Sequence, residues 1–131
     1  MTVELERQQL VSLVATARSA LASCRHPGAR VAAAVMTLDG QAYTGVQVRS
    51  ESCSHCSTCA EPVALGAALA SAESDIAACV AVVRTETGVR VWSPCGTCRE
   101  LLRDLRVAQI VVAELEDTII TATPDELLPW P

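Results

Sequence analysis

Apolar residues recur at three- and four-residue steps from about Glu4 to Ser23, where Leu10, Leu13, Val14, Ala17 and Leu21 line one side of a helix. Arg25-His26-Pro27-Gly28 ends it, because proline and glycine together break a regular pattern. The spacing then shortens. Val31 to Leu38 is apolar, Asp39-Gly40 is a tight-turn dipeptide, and Ala42 to Val48 reads as a second strand, so the stretch predicts a hairpin. Arg49 to Thr58 is polar and rich in serine and cysteine, hence a loop. Cys59 to Ser71 is rich in alanine and leucine and predicts a second helix; Pro62 fits its first turn, which has no backbone bond to lose. Ile76 to Thr85 reads as a buried strand and Glu86 to Gly88 as a turn. A short loop through Trp92-Ser93-Pro94 leads into a third helix, Cys95 to Leu105. Val107 to Glu114 and Ile119 to Ala122 are two more strands, and Asp125 to Leu128 is a closing helical turn after Pro124.

Strands alternating with helices after an opening hairpin imply an α/β fold, a mixed sheet with helices packed on it. No linker, repeat or low-complexity stretch interrupts the chain, so its 131 residues are expected to form one domain over 1–131. Half of them are apolar, which fits a globular protein.

Charge changes the picture by exclusion. A net charge of −5 argues against binding nucleic acid, whose affinity comes largely from lysine and arginine on phosphate. With no Phe, two Trp and one Tyr, the chain also lacks the aromatics on which single-stranded bases stack. The N-terminus, Met1 to Glu6, lacks a basic region followed by an apolar core, and no apolar run reaches the length of a membrane span. A cytoplasmic location, with cysteines kept as thiols, is the expectation.

The seven cysteines carry the chemistry. Cys59-Ala60-Glu61 and Pro94-Cys95-Gly96-Thr97-Cys98-Arg99 make sense only together. Three thiolates, from Cys59, Cys95 and Cys98, can hold Zn²⁺ and leave its fourth position to water, which a catalytic zinc site requires. Cys95 and Cys98, at i and i+3, face the same way within one helical turn. Each motif opens a helix, where free backbone N–H groups favour thiolate. Glu61 falls in the first turn after Cys59, placed to move protons and not to bind the metal.

Cys-Ala-Glu followed by Pro-Cys-x-x-Cys resembles the signature of the zinc deaminases in its all-cysteine form. The resemblance is to the cytidine deaminase superfamily, in the small branch that includes blasticidin S deaminase. It extends to Leu38-Asp39-Gly40, Thr44-Gly45-Val46 and Glu126-Leu127-Leu128-Pro129. It implies a three-layer α/β/α domain with a five-stranded mixed sheet. It also implies zinc-dependent hydrolytic deamination of a free cytosine nucleoside, cytidine or deoxycytidine, with Glu61 relaying protons from water to ring N3 and to the departing amine. Ala60 and Ser93 become pocket walls. A homotetramer, with pockets completed by neighbouring subunits, and a role in pyrimidine salvage follow from the resemblance alone.

The chain departs from the pattern at several positions. An arginine commonly follows the glutamate and donates to the sulfurs; here Pro62 stands there, and Arg99 is the expected replacement. An Asn-x-Glu pair that holds ribose hydroxyls is matched by Gln47 and Arg49. Arg49 cannot accept a hydroxyl hydrogen bond but can pair with phosphate or carboxylate. An aromatic residue is replaced by Ala29, and Trp130 is expected to stand in for a C-terminal Phe. These changes open two alternatives on the same chemistry, a blasticidin S deaminase-like enzyme or another aminopyrimidine deaminase. An alternative of another class is a non-catalytic protein whose Cys56, Cys59, Cys95 and Cys98 close a structural zinc site. The 35-residue gap between the pairs, and an unemployed Glu61, weigh against it. Cys53, His55 and Cys56 read as loop residues with incidental thiols, Cys24 and Cys79 as small buried residues, and His26 as a solvated turn residue.

Overall fold

The computed structural model describes residues 4–26 and 28–130. Pro27, read as part of the helix stop, and Met1-Thr2-Val3, in the segment judged not to be a leader, lie outside the described residues. Helix α1 runs Arg7–Ser23, later than the periodicity suggests, because Glu6 caps it in a reciprocal box with Gln9. Just before it, the buried Gln109 amide bonds both backbone groups of Leu5 and ties the entry of α1 to the sheet. The hairpin follows as β1 (Val31–Thr37) and β2 (Ala42–Val46), with Gly40 at φ +87° in its turn, a conformation that suits glycine. Then come α2 (Ala60–Ser71), β3 (Ile76–Thr85), β4 (Gly88–Val91), α3 (Gly96–Asp104), β5 (Gln109–Leu115), β6 (Thr118–Ala122) and α4 (Pro124–Leu127).

The sheet order is β2-β1-β3-β5-β6, and β4 pairs with β3 outside that path. Six strands therefore replace the expected five. The extra one, Gly88–Val91, folds back antiparallel on the end of β3 and occupies a stretch read as turn and loop. β3 and β5 are parallel and all other pairings are antiparallel, so the sheet is mixed.

Helices cover both faces, which is why β1 is buried nearly end to end. Ala32, Ala34 and Met36 point to α1 and its Leu10, Leu13, Val14, Ala17 and Leu21. Ala33 and Val35 point the other way, into a core with Ala60, Ala64, Leu65 and Ala68 of α2 and Leu102 of α3. The second core matters for function. It packs α2 and α3 on one face of the sheet, against Cys79 and Ala81 of the central strand β3.

Candidate active site

Cys59 and Cys95 are the N-caps of α2 and α3, both in extended backbone conformation. Neither uses its side chain to cap the helix, so both sulfurs are free to turn toward one another. Cys98 lies one turn into α3 and is buried. The Sγ atoms of Cys59 and Cys95 are 3.8 Å apart and those of Cys95 and Cys98 3.5 Å apart. All three lie within 4.8 Å of one another. A tetrahedral zinc with bonds of about 2.3 Å needs sulfurs about 3.8 Å apart, so this triangle has the size of one face of the coordination polyhedron.

The donor chemistry agrees with the geometry. Burial pushes the Cys98 thiol up, and Glu61 nearby adds to this. Cys59 is raised by its own burial and by Cys95. Cys95 is held low; burial opposes this, but the Cys98 backbone N–H and the neighbouring thiols outweigh it. Three such thiols cannot ionise together without a cation between them, and a divalent ion removes the conflict.

Glu61 follows in the first turn of α2, 5% exposed, next in the chain to Ala60 of the second core. Burial pushes its carboxyl up, against hydrogen bonds from its own backbone and from Cys98. It faces a cavity of 430 Å³ lined by Gln47, Ala60, Trp92, Ser93 and Arg99 together with Cys59 and Cys95. That volume falls in the range of small-molecule sites.

The structure thus brings together Cys59, Cys95, Cys98, Glu61, Ala60, Ser93, Gln47 and Arg99. Arg49 is exposed and lies outside the cavity lining. Arg99 does not take the role expected of it. Its Nε donates to the Pro94 carbonyl at 2.8 Å, and its terminal nitrogens donate to Ser93 Oγ at 3.1 Å and the Leu127 carbonyl at 3.3 Å. Those bonds end on oxygens of the cavity loop and α4, so Arg99 braces the loop and does not donate to the sulfurs. Ala29 is buried outside the lining, and Trp130 is 91% exposed, so it fills no gap in this chain. Trp92 was missed because its stretch reads as a loop; β4 presents it to the cavity. An aromatic residue two before Pro94, in a chain with so few, was the available signal.

The loop cysteines also differ from expectation. Cys53 and Cys56 form a disulfide, their Cα atoms 5.4 Å apart across the 3₁₀ turn Ser54–Cys56, and are not incidental free thiols. Cys56 is thereby withdrawn from the sulfur cluster, and the four-cysteine closed site is not formed. Cys56→Ser is accordingly expected to leave one zinc ion per chain, read by atomic absorption on purified protein. Loss of the metal would restore Cys56 as a ligand. Cys79 is buried as expected, whereas Cys24 is only partly covered.

A family model described as the cytidine and deoxycytidylate deaminase zinc-binding region matches residues 5–114. The chain is 32% identical over 104 residues to blasticidin-S deaminase of Bacillus cereus, which covers 76% of this chain and 74% of that one. It is 30% identical over 127 residues to cytidine deaminase of Halalkalibacterium halodurans, covering 95% and 92%. In structure it is similar to cytidine deaminase from Bacillus anthracis, with a TM-score of 0.75 at 25% identity over 92% of this chain and 87% of that one. The cytidine deaminase from Burkholderia pseudomallei gives 0.71 at 25% identity over 95% and 98%.

Proposed function

Since the chain belongs to the cytidine and deoxycytidylate deaminase family of zinc enzymes, we propose that it hydrolyses the exocyclic amine of a free cytosine nucleoside, with Cys59, Cys95 and Cys98 as metal ligands and Glu61 as the proton carrier. One observation carries this reading: three convergent thiols beside a buried carboxyl at a ligand-sized cavity. Bound at the three sulfurs, zinc supplies a Lewis acid that brings the pKa of a water toward neutrality.

Glu61 does the rest of the proton work. Burial raises its proton affinity toward the working pH, where a group both takes and gives a proton efficiently. It takes one proton from water and gives it to ring N3, then takes the second from the hydroxyl now on the ring carbon and gives it to the amine that leaves as ammonia. Ala60 packs a fully buried wall beside it. Ser93, held by Arg99, lines the same cavity. A homotetrameric enzyme of pyrimidine salvage completes the proposal; a monomer mass by light scattering would contradict the assembly.

The test is the loss of ultraviolet absorbance when zinc-loaded protein meets cytidine, deoxycytidine and blasticidin S in turn. Turnover of either plain nucleoside supports salvage. Turnover of blasticidin S alone assigns the cavity to a larger aminopyrimidine. Silence on all three, with zinc bound, overturns the plain-nucleoside reading and moves the search to charged or non-nucleoside aminopyrimidines.

A further inference from the structure

The Cys53–Cys56 disulfide lies in the loop that leads into the metal site. Gln47, before the loop, and Cys59, after it, both line the cavity. Val48 and Thr58 close the loop between them: the Val48 N–H donates to the Thr58 carbonyl at 2.9 Å, and the Thr58 N–H to the Val48 carbonyl at 2.8 Å. Inside the loop the Ser50 N–H donates to Ser57 Oγ at 3.1 Å, and the Cys53 N–H to Ser50 Oγ at 3.0 Å. None of residues 48–59 is buried. No apolar core orders this segment, so its shape rests on these bonds, one 3₁₀ turn and the disulfide. A segment held in this way belongs to the low-stability end of a structure.

Cys59 is the ligand that depends on the loop. Cys95 and Cys98 ride together on the first turn of α3, whereas Cys59 stands alone at the cap of α2, exposed, one residue after Thr58. Cys56 is exposed too, so its sulfur is open to attack from solution.

We propose that the Cys53–Cys56 bridge is a redox site for an external dithiol, and that opening it weakens the hold of Cys59 on zinc. This rests on the three-sulfur zinc site described above. A thiolate of the dithiol attacks the Cys56 sulfur, and Cys53 leaves as a thiolate. The second thiol of the dithiol then attacks the mixed disulfide and releases Cys56. Two electrons and two protons pass to the loop cysteines, and the dithiol ends as a disulfide. Closing the ring from Cys53 to Cys56 removes chain freedom worth about one decade in an equilibrium constant. Ala60, Ala64, Leu65 and Ala68 keep α2 packed in the second core, so the site loosens and does not empty.

The first test counts thiols. Dithiothreitol added to the zinc-loaded protein should release two, mapped to Cys53 and Cys56 by peptide mass. A native protein without the bridge, or a bridge that resists, overturns the proposal. The second test measures zinc affinity by competition with a chromophoric chelator. It compares the native protein before and after reduction by a phosphine, which brings no thiols to the metal, with Cys53→Ser and Cys56→Ser. Affinity should fall by about tenfold, and equally, in all three bridge-free forms. Trypsin reads the loop independently: Arg49 is the one cleavage site in residues 48–59, and cutting there should speed up in the same three forms. Faster cutting with unchanged zinc affinity would make the bridge a loop staple without influence on the metal, and the proposal falls. A fall in one variant alone assigns the effect to a single sulfur and overturns it as well. A native protein that binds no zinc removes the metal site itself, and the deaminase reading with it.

Discussion

Glu61→Gln is expected to lower kcat by about 10²–10⁴-fold, the span contributed by a positioned acid–base group. Zinc content should stay at one ion per chain. Glutamine keeps the volume of a side chain that is 5% exposed in the first turn of α2, so the second core need not repack. What it loses is the exchangeable proton. Burial already makes the charged form of Glu61 costly in the folded state. A neutral amide removes that cost, so the Glu61→Gln protein should unfold at the same temperature as the native protein or higher, a common trade at active sites. The combination is diagnostic: zinc retained, melting unchanged or raised, absorbance loss abolished. Full activity in the Glu61→Gln protein would sink the proton-carrier assignment. Loss of zinc together with activity would mean that Glu61 holds the ligand geometry instead.

Much of this site was legible because its chemistry is local. Cys59-Ala60-Glu61 and Cys95-Gly96-Thr97-Cys98 each sit at a helix start, and helix starts announce themselves through a change of periodicity. Once both helices pack on the same face of the sheet, the three sulfurs have nowhere else to meet. The fold was legible for the same reason: each strand and helix carries its own spacing. What could not be read depends on partners distant in sequence. The Oε1 atom of Gln47 is claimed by a residue 17 positions earlier, and the guanidinium of Arg99 by a carbonyl 28 positions later. Neither choice leaves a trace in local pattern. β4 was missed because four residues give too short an alternation, and because Gly88 and Pro94 punctuate it on both sides. Its Val89 and Val91 pack on the α1 side, and that period of two marks it as a strand once its pairing with β3 is known. The Cys53–Cys56 disulfide was missed because an i, i+3 pair is bridged only where the chain folds back, here at a single 3₁₀ turn inside a polar loop.

Gly45→Ala should cost about 3 kcal/mol of stability, the upper part of the range for forcing one carbon into a packed core. Gly45 sits in β2 opposite Ala33 and is buried under α2. A Cβ there would lie 2.4 Å from the Ala64 backbone nitrogen, 2.8 Å from the Val63 carbonyl carbon and 2.9 Å from Val63 Cβ. Two of those three atoms are helix backbone, so no rotamer change relieves the clash; α2 itself must lift from the sheet. The same helix carries Cys59 at its cap and Glu61 in its first turn, while Cys95 and Cys98 ride on α3. A shift of α2 alone therefore opens the sulfur triangle from one side. Weaker zinc binding should accompany the lower melting temperature in the Gly45→Ala protein, although the substitution touches no ligand. Gly66→Ala on α2 is the control. Nothing lies within 4 Å of its added carbon, and alanine in an exposed helix interior should stabilise by about 0.5–1 kcal/mol. Chemical denaturation of both proteins, with zinc affinity measured alongside, separates the two glycines. Equal stability of Gly45→Ala and the native protein would mean that α2 does not lie this close to β2, and the placement of Cys59 and Glu61 argued from that contact would fall with it.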